Sequence, residues 1–138
     1  MPKTLPVRLS PGDDLRRALE AAVAAERCGA AFVLCGIGSL SRAEIRHAGV
    51  DAPQSIAADL EILTLAGTIA ANGSHLHATL SDAEGRVIGG HVVPGCIVRT
   101  TAEVLLALLD DEWDFRREPD AATGYDELVL RRRPSSPT

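Results

Sequence analysis

Three of the four histidines stand in one short stretch, 75-HLHATLSDAEGRVIGGH-91. Neutral imidazole is the commonest side-chain ligand of divalent metals. Three imidazoles with a fourth position left open describe a metal site of the catalytic type, and the donor set suits zinc. The residues 75-HLHATLSD-82 alternate, so His75, His77, Thr79 and Ser81 share one strand face while Leu76, Ala78 and Leu80 share the core face. Ala83-Glu84-Gly85 has the length of a three-residue hairpin loop, with glycine where a left-handed residue is needed. That loop pairs Asp82 with Arg86, Leu80 with Ile88 and His77 with His91. Directly paired residues point to the same face with Cβ atoms about 5 Å apart, and His75 becomes a diagonal neighbour. A loop one residue longer or shorter would turn His91 to the wrong face. Gly89 and Gly90 leave the second strand without side-chain bulk beside the site, which gives room for a metal-bound water, a ligand or another subunit. The plainer reading is three polar residues on a solvated sheet face.

Two carboxylates are candidate proton acceptors for a metal-activated water, Glu103 and Asp82. Glu103 lies in apolar sequence between Ala102 and Val104, where a carboxylate is costly unless paired. Arg99 and Arg46 are its candidate partners, and the histidine site is the third possibility. His47 reads as a lone, hydrogen-bonded histidine. The glycines of 36-GIGSL-40 lack the spacing and following helix of a phosphate loop. Cys28, Cys35 and Cys96 are an odd number without close spacing, so they read as small buried residues of a reducing compartment.

The elements that must position these groups follow from pattern. Residues 5-LPVRL-9 form a first short strand. In 11-PGDDLRRALEAAVAAERCG-29, Leu15, Ala18, Leu19, Ala22 and Val23 fall on one helical face and Arg16, Arg17, Glu20 and Arg27 on the other. Asp13 or Asp14 caps this helix, and Gly29 ends it in a left-handed conformation. An apolar run, 31-AFVLCGIGSL-40, and an alternating one, 41-SRAEIRHAG-49, read as strands, followed by a loop at 50–55 and a strand at 60–70. Residues 96–111 suit a helix by spacing and a strand by their Val, Ile and Thr content. Beyond 112 come a loop, a short strand near 127–130, and a tail. The expectation is an α+β domain over residues 1–130, with a central, mainly antiparallel sheet and one principal N-terminal helix packed on it. Residues 131–138, basic and then rich in Pro and Ser, form a disordered tail.

Composition narrows the function classes. Aromatic residues are 3% of 138, so the core is built from Val, Ile, Leu and Ala, and base stacking on aromatic platforms is largely excluded. The formal net charge is −5. An acidic body is a poor start for nucleic acid, whose binding rests on Lys and Arg. The N-terminal residues carry no apolar signal core and no run reaches membrane-spanning length, so the expected location is cytoplasmic.

Several segments together resemble one family. They are 12-GDDL-15, 34-LCGIGSLSRAEIR-46, 61-EILTLAGTIA-70, 75-HLHATLSD-82, 89-GGHVVPGCIVRTTAEVLL-106 and 123-TGYDEL-128. Their order and spacing are similar to those of the PPC domain, the plants-and-prokaryotes-conserved domain, from about residue 5 to 130. The resemblance implies an α+β fold, a strand over 96–109 and a homotrimer. It implies a metal at His75, His77 and His91, as in members that look like metal carriers. Prokaryotic members commonly carry a DNA-binding label taken from plant relatives, in which an AT-hook precedes the domain. The Arg-Gly-Arg-Pro core of that hook is absent here, since Arg131–Pro134 lacks the glycine and follows the domain. The expected function is ligand binding or regulation, with DNA or a small molecule as partner and no membrane, and the alternative is a metal-dependent enzyme of hydrolase or lyase type.

Overall fold

The computed structural model describes residues 2–134. The elements are β1 (Lys3–Leu9), α1 (Leu15–Ala25), β2 (Ala30–Arg46), β3 (Gln54–Ala70), β4 (Gly73–Ser81), β5 (Val87–Val92), β6 (Ile97–Leu108), β7 (Trp113–Pro119) and β8 (Asp126–Arg132). Six strands form one antiparallel sheet in the order β1-β6-β2-β3-β4-β5, and β7 pairs with β8 in a second, two-stranded sheet. The expected architecture holds, with one helix among the described residues and a mainly antiparallel sheet. Residues 97–108 are strand, as the resemblance implied.

The helix is amphipathic as read. Leu15, Leu19 and Val23 are buried against the sheet. Asp14 is the cap: its carboxylate accepts the Arg17 amide at 3.0 Å and also the Gly95 amide at 2.6 Å. One side chain thus starts the helix and ties it to the loop before β6. The helix stops earlier than expected. Arg27, at φ 55°, takes the left-handed position assigned above to Gly29. The Arg27 amide still reaches the Ala24 carbonyl, so the turn closes before the glycine.

The two strands expected over 31–49 are a single one, β2. A register shift between Leu40 and Arg42 bends it without ending it. The bend lets β2 pair with β6 along residues 31–42 and then with β5 at Ile45–Val92 and Arg46–His91. Strands β2, β3, β4 and β5 therefore close into a ring. Gly38 and Gly67 sit within strands at positive φ, 156° and 143°. A Cβ on Gly67 would strike the backbone of His75 and Leu76, so the β3–β4 ladder beside the histidines depends on its absence.

Another register shift, between Val33 and Cys35, turns two successive residues outward. Leu34 is 55% exposed and Cys35 is exposed too, whereas Cys28 and Cys96 are buried. The expectation that all three cysteines are buried fails at Cys35 for this reason. The C-terminal region is also more ordered than its sequence indicated. Strand β7 occupies part of the expected loop, and β8 carries Arg131 and Arg132, two residues assigned above to the tail. The remainder of the expected disorder, 135–138, lies outside the described residues. No helix among the described residues is long and apolar enough to cross a membrane.

Candidate metal centre

The hairpin register is the one its loop dictates. His77 stands opposite His91 and Leu80 opposite Ile88. Gly85 is left-handed at φ 77°, and the Asp82 amide donates to the Arg86 carbonyl at 3.0 Å. Leu76 and Leu80 are fully buried, which fixes which face the alternating histidines take. The three imidazoles converge: one ring nitrogen from each of His75, His77 and His91 lies within 4.8 Å of the other two. His75 Nε2 and His77 Nε2 are 3.0 Å apart. Three nitrogens sharing a zinc-like ion at 2.0–2.1 Å stand roughly 3.3–3.6 Å apart. Side-chain rotation of about an ångström draws the donors in, and the donor set fits a divalent ion with an open position.

The electrostatics favour neutral, metal-competent imidazoles. Burial pushes the His91 pKa down to about 4, with the positive charge of Arg46 as the next cause. His75 is also lowered, first by burial and then by His77 and Arg117. The sign of the linkage is clear. Between pH 6.5 and about 4 the unfolded chain protonates His91 while the folded one resists, and His75 adds in the same direction. Metal-free protein should thus lose stability as pH falls through that window and level off below it. Denaturant midpoints at several pH values measure this, and His91→Asn should flatten the slope.

Neither candidate acid joins the histidines. Glu103 is exposed and lines different cavities from them, beside Leu34, Ile37 and Leu63. Alternation in β6 explains it, since Ala102, Val104 and Leu106 are buried and Glu103 points the other way. Its expected partners are engaged elsewhere or remote: Arg99 pairs with Asp59 at 2.9 Å. Asp82 belongs to the turn, where it accepts the Glu84 and Arg86 amides and pairs with the Arg86 guanidinium at 2.8 Å. His47 bonds Gln54 at 2.8 Å, as a lone histidine should. Both glycines line the cavity of the three histidines, as expected, and they also permit close strand approach. A Cβ on Gly89 would lie 2.7 Å from the Ala78 carbonyl oxygen, and one on Gly90 2.7 Å from that of Arg46. They let β4 and β2 close on β5.

Sequence reasoning missed the cationic residues around the site. Arg46 faces His91 directly across the β2–β5 pair. Arg16, assigned to the outer helical face, turns back to donate to the Val92 carbonyl at 3.1 Å. Arg117, from a segment read as loop, reaches Thr68 Oγ1 at 2.6 Å. The alternation of 41–49 had placed Arg46 on a strand, but nothing in the sequence showed which strand it would meet.

Fold and site define an α+β, antiparallel-sheet protein that gathers three histidines at a hairpin. The family model of the Plants and Prokaryotes Conserved domain matches residues 2–110, and the chain belongs to that family. Among solved structures, a hypothetical protein from Salmonella is 38% identical with a TM-score of 0.92, covering 96% of each chain. A metal-containing protein from Archaeoglobus fulgidus is 26% identical with a TM-score of 0.77, covering 92% of this chain and 93% of that one. A candidate DNA-binding protein from Ralstonia eutropha is 26% identical with a TM-score of 0.71, covering 91% and 89%. The chain is also 45% identical over 129 residues to a bifunctional GlmU protein of Synechococcus, of whose length it spans 20%.

Proposed function

We propose that this protein is a homotrimeric metal-binding member of its family that acts in ligand binding or regulation. It holds one divalent ion, zinc by donor chemistry, at His75, His77 and His91. The convergence of three imidazole nitrogens within 4.8 Å carries the reading. The similarity to a protein described as metal-containing supports it. When bound, such an ion polarises an oxygen ligand in its open position. The test is elemental analysis of protein purified without an affinity tag. One equivalent of metal in the natural protein and loss of it in His77→Ala is the expected result, and equal content in both would sink the site.

Self-association is supported by the sheet face that carries Leu34, Ile37 and Leu63, each 45–56% exposed. These residues line an open apolar cavity of about 730 Å³. A contiguous apolar surface of this kind calls for a partner. Sedimentation equilibrium should give three times the mass of the chain, and Leu34→Glu should shift it towards the monomer.

Two other readings are weaker. Catalysis through a metal-activated water needs a general base near the ion; Glu103 and Asp82 line neither histidine cavity, which among the described residues leaves only Asp126 and Glu127 for that role. The DNA-binding description of the Ralstonia relative meets a chain of net charge −5 with 3% aromatic residues. Binding that weakens steeply with salt would be needed to support it.

A further inference from the structure

Three arginines stand around the histidine cluster. Arg46 is paired with His91 in the β2–β5 ladder and so projects from the same face. On the other side, Thr68 stands opposite His75, and the Arg117 guanidinium is bonded to Thr68. Arg16 arrives from α1. Arg16, Arg46 and Arg117 line one cavity of about 400 Å³ together with His75 and His91. Among the described residues neither Arg46 nor Arg117 makes an ion pair, and Arg16 is partnered by Glu20 at 3.1 Å. Asp126 and Glu127 also line the cavity without bonding either arginine, so Arg46 and Arg117 face it with no direct counter-ion. Like charges gathered at one wall repel each other and repel a divalent ion. An anion seated among them relieves both repulsions. Guanidinium forks match the oxygens of carboxylate and phosphate groups.

We propose that this cavity binds a small oxyanion, the carboxylate or phosphate group of a small-molecule ligand, with Arg46 and Arg117 as its counter-charges beside His75 and His91. The proposal deepens the metal reading and rests on it for the ligand's second anchor, while the guanidinium contacts stand without a metal. A neighbouring cavity of about 670 Å³ shares Arg46, His75, His91 and Tyr125, and it adds Val50, Ala66 and Ala78. The uncharged part of the ligand fits there.

The experiment titrates acetate and, separately, inorganic phosphate into both cobalt-loaded and metal-free protein by calorimetry. The cobalt absorption spectrum is followed in the loaded form. Saturable binding of either anion is expected. Arg46→Gln should weaken it by about tenfold or more, the loss that goes with a charge-assisted hydrogen bond. Arg117→Gln should weaken it as well, and Arg46→Lys should retain part of it, at unchanged cobalt stoichiometry. Acetate as the preferred anion assigns a carboxylate ligand, and phosphate the other source. If cobalt does not bind, the metal reading fails, and the metal-free titration alone decides the anion site. Absence of saturable binding in both forms overturns the proposal. So does binding that is indifferent to both arginine substitutions in variants whose melting shows them folded.

Discussion

Gly67→Val will lower the stability of the protein by about 3 kcal/mol or more, enough to leave a marginal domain largely unfolded. Gly67 lies within β3 at φ 143°, a conformation that a β-branched residue adopts only under strain. A Cβ there would strike the His75 carbonyl oxygen and lie 2.8 Å from Leu76 Cα. Both atoms are backbone of β4, so no rotamer change relieves the clash. The ladder must open where it holds His75 opposite Thr68. Gly12→Val is the matched control. Gly12 also has a positive φ, 90°, but nothing lies within 4 Å of a Cβ built on it. Its cost should be confined to torsional strain of about 1–3 kcal/mol. Chemical denaturation of both variants measures the difference, and equal midpoints would refute the steric account.

Zinc at a hundredfold excess over its dissociation constant will stabilise the natural protein by about 2.7 kcal/mol, because only the folded chain gathers the three imidazoles. For a domain of this size the melting temperature should rise by roughly 5–10 °C. His91→Ala should abolish the rise, since it leaves an i, i+2 pair on one strand instead of three converging donors. The pair sits on β4, while His91 comes from β5, which is held by ladders to both β4 and β2. A zinc-induced rise of the same size in His91→Ala would place the ion elsewhere. Gln54→Ala frees His47 from its hydrogen bond without touching the cluster, and it should leave the zinc effect intact.

The parts of this architecture written into local pattern were legible. Alternation in 75–82 and the glycine of the 83–85 loop set the register that brings His91 opposite His77, because a two-residue period leaves only one face for each side chain. Helix α1 was legible from its apolar stripe and from Asp14. The parts set by long-range closure were not. Only two residue pairs join β2 to β5, Ile45–Val92 and Arg46–His91, and two pairs leave no pattern in a sequence. Arg117 was hidden for a related reason. Strand β7 carries charged residues at 114, 116, 117 and 118, so it showed no apolar period, yet Phe115 is 2% exposed against Ala30 and Ala70. Glu103 was misjudged because apolar neighbours in sequence are not neighbours in space on a strand, where alternate residues face opposite ways.

The ring formed by β2, β3, β4 and β5 also bears on the order in which the chain assembles. Contacts between near neighbours in sequence form early, and those that need several loops closed form late. The β4–β5 hairpin closes through a short turn and unites His77 with His91 on its own. The Arg46–His91 contact needs β3, β4 and β5 already stacked beside β2. In an incomplete chain the hairpin therefore pairs His77 with His91 before the arginine arrives. The three-histidine cluster with Arg46 beside it exists only in a chain whose ring has shut.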